Sequence, residues 1–369
     1  NAVGKGVAVV GVNQSFTQGN ISFTDNVLDM AINGNGFFVL DEGGSNVYSR
    51  AGNFQVDRNG FVVNADDNRL QVFNTTDAGV VTGGTGDLRI DTSLIQPNAT
   101  TAVDIVANLD SRNAVPITPW GGPFDAFAAI PTAPSPDMFN ASTSLTVFDS
   151  LGNSHIQSIY FVKTGTANQW DVHTLIDGVS EVSQTIEFDS SGQIDTTTFP
   201  AVLNHPAWAP LDANGVANGA TSPQAFSLDL STVSQFGSEF SVSDINQDGF
   251  TTGQLRGVEV DDSGIVFARF TNGQARALGQ IALANFSNTS DLQPLGGSAW
   301  AETFASGQAI LTAPGTGGLG VVQSGALEDS NVEVTQQLVD MIVAQRNFQA
   351  NAKVIQTEDT ITQTVINLR

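Results

Sequence analysis

The 369-residue chain contains no cysteine, so disulfides, thiolate metal ligands and thiol nucleophiles are excluded and the fold must hold by packing alone. It is also short of positive charge. Thirteen Lys and Arg stand against 37 Asp and Glu, a formal net charge of −24, whereas a surface that binds nucleic acid or anionic lipid needs cations to neutralise phosphate. No apolar run approaches the ~20 residues that a membrane span requires. No basic stretch followed by an apolar one marks a cleaved signal near Asn1, so none is expected. Tyrosine is scarce, at 2 residues against 23 Phe. What is abundant is Gly, 37 residues, with Thr, Asn, Asp and Val, a mixture that favours short strands joined by tight turns. At 40% hydrophobic residues the chain has enough apolar material for two or three folded domains.

A second kind of absence is local. Ala326 to Arg369 contain neither Gly nor Pro, although both are frequent earlier, and such a run reads as one long helix. Val334, Leu338, Met341, Gln345, Phe348, Ala352, Ile355, Asp359, Thr362 and Ile366 follow a four-three spacing, the seam of a coiled coil. Ser330 and Glu333 form an S-x-x-E capping box, which predicts a helix starting near Asn331 and running about 55 Å at ~1.5 Å per residue. No other segment of the sequence could pair with it over that length. The seam is therefore an assembly interface, with Val334, Leu338, Met341, Gln345, Phe348, Ala352, Ile355 and Ile366 as its residues. Only two of the net negative charges fall on Asp329 to Arg369, so the acidity belongs to the β body, where it reads as a solubilising surface.

Short apolar runs bounded by Gly, Asn or Asp recur from Asn1 to about Asp110 and read as strands. Six of the thirteen prolines then fall between Val115 and Pro136, a density that breaks helix and sheet and predicts a domain entrance. Further β regions follow from about Ser142 to Leu255 and from Gly257 to about Val322. The run from Ala313 to Gly320, with four glycines, reads either as a hinge before the helix or as a surface loop. Four times an apolar strand end precedes Asp-x-x-Gly, at Asp57, Asp149, Asp189 and Asp261. Asp accepts backbone N–H bonds at the first turn position and Gly takes positive φ at the fourth, which makes these hairpin turns rather than sites.

Catalytic chemistry has no foothold. His155, His173 and His205 lie in separate segments without zinc-ligand spacing, and they read as ordinary surface or core imidazoles. No G-x-S-x-G elbow occurs, and Lys5, Lys163 and Lys353 do not follow a phosphate-cradling glycine loop. Asp244-x-Asn246-x-Asp248-Gly249 copies the first half of an EF-hand loop, but position twelve is Leu255 rather than a bidentate carboxylate, so a polar turn is expected there. The reading is of a non-enzyme with no catalytic residue, no metal and no cofactor.

Two stretches at opposite ends carry a resemblance. Gly325-Ala-Leu-Glu-Asp-Ser-Asn-Val332, Leu338 to Ala352 and Ile366-Asn-Leu-Arg369 resemble the C-terminal signature of bacterial flagellar axial proteins. Gln14-Ser-Phe-Thr-Gln-Gly-Asn20 and Leu28-Asp-Met-Ala-Ile-Asn-Gly-Asn-Gly-Phe-Phe38 resemble their N-terminal one. The wording of the helix, and the large insert between the halves of the β body, are closer to the hook family than to the rod proteins. The match covers roughly the first 75 and last 115 residues.

The resemblance implies a mainly β, multi-domain fold with a long C-terminal α-helix. Residues 1–110 and 256–325 would form a discontinuous inner β domain, 111–255 an inserted outer β domain, and 326–369 a coiled-coil helix lining the core of a tube. It implies a structural subunit of the flagellar hook, a homopolymer that bends while passing on torque. Gln336, Gln337, Gln345, Gln349, Gln356 and Gln363 would suit a channel wall, or equally a solvated face. Partners would be further copies, the distal rod, the hook cap and the hook–filament junction proteins, with neither nucleic acid nor membrane. The location would be extracellular, in the flagellum, after export by the flagellar secretion system. Hook proteins carry an upstream helix that pairs with the C-terminal one, and the sequence as it starts at Asn1 lacks it. The alternatives are a distal rod subunit and a secreted β-sandwich adhesin or glycan-binding protein.

Overall fold

The structure, a computed structural model, describes residues 14–367. It is mostly strand with one long helix, and it divides into two compact units. One takes the chain up to Thr92, Gly257–Arg269 and the residues from Ala275 onwards; the other takes Ser93–Arg256 and Phe270–Gln274.

In the first unit the two ends of the chain are zipped together. Strand Ile21–Phe23 pairs antiparallel with Ala326–Glu328, and Met30–Asn33 pairs antiparallel with Val321–Ser324. A larger sheet sets Ala275–Ile281, Arg69–Thr75, Phe37–Glu42, Ser45–Ser49 and Ala299–Ala301 side by side in that order. Its core is aromatic. Phe37 meets Phe16 edge-on at 5.1 Å and Phe286 at 5.8 Å, and Tyr48 meets Phe286 at 4.8 Å, in the T-shaped geometry that ring quadrupoles favour.

The first eight residues of the Gly- and Pro-free run are not helical. Ala326–Glu328 is a strand and the helix spans Val334–Asn367. Local propensity lost there to a ladder with residues more than 300 positions away, whose partner strand Ile21–Phe23 supplies the hydrogen bonds. The Ala313–Gly320 run is not a slack hinge either. Gly315 N–H donates to the Gly320 carbonyl, Thr316 N–H and its hydroxyl to that of Ala313, Leu319 N–H to Thr316, and Gly320 N–H to Asn35.

The second unit is a β-sandwich. A meander of Ala141–Phe148, Ser154–Lys163, Gln169–Ile176 and Val179–Glu187 forms one sheet. Strand Ala102–Asp110 is central to the other, parallel to Gln224–Asp229 and Ser234–Phe236 and antiparallel to Ser241–Gln247. Alternate residues of that central strand, Val103, Ile105, Ala107 and Leu109, pack with Val147, Ile159, Phe161, Trp170, Val172, Leu203 and Phe226 in a single core.

Because Ala102–Asp110 contributes to this core, the compact second unit takes in residues from Ser93 onwards, ahead of the boundary near residue 110 that the sequence suggests. The proline-dense segment follows strand Ala102–Asp110. It lies inside the second unit, anchored by Trp120, which stacks on His173 at 4.2 Å and tilts against Tyr160 at 5.2 Å.

The Asp-x-x-Gly turns form as the pattern requires. At each, Gly N–H donates to the Asp carbonyl and Asp Oδ1 accepts the N–H groups two and four residues on, with Gly at φ between +78 and +87°. A fifth turn, Asp212 to Gly215, has the same bonds, and Leu211-Asp212-Ala-Asn-Gly215 fits the pattern as well. The EF-hand-like stretch is the end of strand Ser241–Gln247. Asp248 is consumed by Thr101, whose N–H and hydroxyl it accepts, and by the N–H of Ala102. Burial opposes its ionisation, but these bonds outweigh that and hold its carboxyl below the usual range. No cluster of three metal-ligating side chains occurs among the described residues.

Candidate assembly interface

The helix Val334–Asn367 offers its whole circumference. Of the ten seam positions only Ala352 is partly covered by its own chain; Leu338 is 47%, Phe348 69% and Ile366 66% exposed. The helix also departs from a single seam. Val339, Val343, Ala350, Val354 and Ile361, all exposed, repeat at four-seven spacing, and at about 100° per residue they lie on nearly the opposite side from the seam. One partner helix cannot cover both stripes. Three glutamines, Gln349, Gln356 and Gln363, fall in a narrow strip beside the seam, next to the seam residue Gln345, whereas Gln336 and Gln337 point elsewhere. In the last third Thr357, Thr360, Thr362 and Thr364 turn their hydroxyls back onto the carbonyls four residues earlier, at 2.7–2.9 Å, which satisfies them without a partner.

The start of the helix differs from the expected capping box. The first intrahelical bond runs from Gln337 N–H to the Glu333 carbonyl, which puts the cap at Glu333. Ser330 Oγ accepts the N–H of Val332 at 3.2 Å instead of that of Glu333, and the Glu333 carboxylate accepts the hydroxyl of Thr335 at 2.7 Å. The reason lies next door. Asn331, at a bend, reaches the carbonyls of Ser15 and Thr17 with its side-chain amide, which ties the exit from the last strand to the N-terminal segment.

Below that exit sits a clasp that sequence reasoning missed. Arg50 donates from Nε and Nη2 to Glu328 Oε2 at 2.9 and 2.8 Å, and from its two terminal nitrogens to the carbonyls of Ile32, Gly34 and Gly36. Both side chains are largely buried, at 12 and 9% exposure. Glu328 Oε1 accepts Gly19 N–H at 2.8 Å, so one ion pair ties the N-terminal segment, the Asn33–Gly36 turn and the strand that feeds the helix. The chain passes so close here that a Cβ on Gly19 would collide with the carbonyl oxygen of Asp329. Gly19→Ala is expected to cost about 1–3 kcal/mol by overpacking against backbone, measured by denaturant unfolding. An unchanged midpoint would mean that the exit strand moves freely.

A mostly β body with one long helix, left uncovered by its own chain and apolar on two sides, has the form of a structural protein. Residues 31–108 match the flagellar hook protein FlgE/F/G D1 domain, 108–250 the flagellar basal body protein FlaE D2 domain, and 323–368 the flagellar basal body rod FlgEFG protein C-terminal region. The chain is 38% identical over 377 residues to the flagellar hook protein FlgE of Escherichia coli K12, covering all of this chain and 88% of that protein. With that of Treponema pallidum it shares 31% over 407 residues, covering all of this chain and 86% of the relative. The crystal structure of Helicobacter pylori flagellar hook protein FlgE2 shares the fold, with a TM-score of 0.60 at 14% identity over 84% of this chain and all of that one. The chain belongs to the flagellar hook protein family. It is a structural subunit of the bacterial flagellar hook, not an enzyme, and it self-associates.

Proposed function

We propose that the helix Val334–Asn367 is the continuous, load-bearing element of the hook, buried against neighbouring copies. The two β units, inner and inserted outer, meet their counterparts through polar contacts that slide as the tube bends. The observation that carries this is the contrast within one chain: a helix with two uncovered apolar stripes, and β units whose surfaces hold almost all of the net charge. Obligate interfaces are the more apolar ones and transient interfaces the more polar ones, so the helix holds while the β units re-form contacts. The seam Val334, Leu338, Met341, Gln345, Phe348, Ala352, Ile355 and Ile366 faces one neighbour in this reading. The glutamine strip lines the channel through which unfolded subunits travel, and its uncharged amides neither repel nor trap a passing chain.

The same reading makes the distal rod, the hook cap and the hook–filament junction proteins its end-on partners, and gives it an extracellular place reached through the flagellar export channel. Negative-stain microscopy of the full-length protein tests it. Bent tubes support the hook reading; straight rods or persistent monomers overturn it.

Charge supplies a second test. Subunits of net charge −24 packed side by side repel over a Debye length that grows from ~10 Å at 0.1 M salt to ~30 Å at 0.01 M, so polymers should loosen at low ionic strength. Light scattering across an NaCl series checks this. A flat response would leave the acidity as a solubility feature only.

A further inference from the structure

His155, at the start of strand Ser154–Lys163 in the second unit, is buried to 3% exposure, yet both of its ring nitrogens face carboxylates. Nδ1 lies 2.6 Å from Asp177 Oδ2 and Nε2 3.3 Å from Asp149 Oδ2. Each carboxylate already accepts from donors around it. Asp149, itself fully buried, takes only donors: the N–H groups of Leu151 and Asn153 and the side-chain amides of Asn153 and Asn218. Asp177 Oδ1 takes the N–H of Ile156 at 2.9 Å. An acceptor-only group at each nitrogen requires an N–H at each nitrogen, and only the imidazolium has two. A neutral ring would aim a lone pair at one of the anions.

We infer that His155 is a proton-operated latch. As the cation it ties the Asp149 turn to the Asp177–Gly178 hairpin and, through Asp149, to the hairpin that carries Asn218. When it loses its proton, the segments it joins loosen. They rim a cleft of about 920 Å³ that opens to solvent and lets protons in. The other groups facing the ring supply no competing cation. The ring of Trp208 meets it edge-on at 4.9 Å, Asp212 lines the same cleft, and no Lys or Arg ion pair to Asp149 or Asp177 occurs among the described residues. Asp177 also sits at φ +51°, in the left-handed region, a conformation held in place by its bonds to His155 and Ile156.

Burial works against the charged ring, but the bonds and charges of Asp177 and Asp149 prevail and raise its pKa above the ordinary 6.5. A group whose folded pKa is raised stabilises fully below its unfolded value and loses that contribution as pH climbs through the folded one, so the latch is closed in acid and opens in mild alkali. His205 behaves oppositely. Burial pushes its pKa down to about 4, which keeps it neutral through the same range and makes it an internal reference.

The test is an NMR titration of the histidines in the full chain, with hydrogen exchange of residues 149–156, 177–178 and 212–218 corrected for the base-catalysed intrinsic rate. His155 should titrate above an ordinary histidine, and opening of the three segments should rise up to about tenfold per pH unit across that transition, the limit for one coupled proton. His155→Gln should abolish the pH dependence and leave the segments at their high-pH level. Asp177→Asn should move the midpoint down while keeping the step, and it decides the matter if the glutamine variant does not fold. A His155 midpoint at or below the ordinary value, or exchange that stays flat through it, overturns the latch.

Discussion

Leu338→Asp or Phe348→Asp is expected to abolish self-association while both β units stay folded. The two residues are 47 and 69% exposed, so in the monomer the change disturbs no packed core. In the polymer the same carboxylate would be buried against a neighbour's apolar stripe, unpaired, at a cost of several kcal/mol at every subunit. Sedimentation of the full-length variants, with circular dichroism for the β body, checks both halves. Normal polymers would remove the seam from the interface. Val354→Asp, on the opposite stripe, extends the test: if only one face of the helix is covered, this variant should assemble as well as the parent.

The second large effect is expected at Arg50. Removing it as Arg50→Ala leaves Glu328 charged and largely buried with no cation, and takes donors from the carbonyls of Ile32, Gly34 and Gly36. Breaking one side of such a pair typically costs about 3–5 kcal/mol. Denaturant unfolding should show the loss in the transition of the first unit, with that of the second unmoved. Arg50→Lys should recover only part, because an ammonium is a point charge that cannot bridge a carboxylate and three carbonyls in one planar fork. A loss under about 1 kcal/mol would class the pair with exposed salt bridges.

What the sequence disclosed about this molecule was what is local. The helix shows as a run without Gly and Pro, the hairpins as Asp-x-x-Gly, the β body as short alternating stretches, and each of these depends on residues within four or five positions of one another. What it hid was non-local. Glu328 is 278 positions from Arg50, and Asp177 is 22 from His155, so no spacing rule connects them until the strands are laid side by side. The membership of Ala102–Asp110 is non-local too: it looks like any other alternating strand, and only its partners, Gln224–Asp229 and Ser241–Gln247, assign it to the second unit. Two misses were avoidable. Leu211-Asp212 carries the turn signature plainly, and the second apolar stripe at Val339, Val343, Ala350, Val354 and Ile361 repeats as regularly as the first.

The zipped ends of the first unit have a mechanical consequence. Ladder hydrogen bonds in antiparallel pairs stand perpendicular to the strands. A pull on the helix directed along Ala326–Glu328 therefore strains the bonds to Ile21–Phe23 in shear, all at once, with those between Met30–Asn33 and Val321–Ser324 behind them in series. The same pull directed sideways would peel them one at a time, at far smaller force. This joint is strong in tension along one axis and weak across it, and the Arg50 clasp sits where peeling would begin.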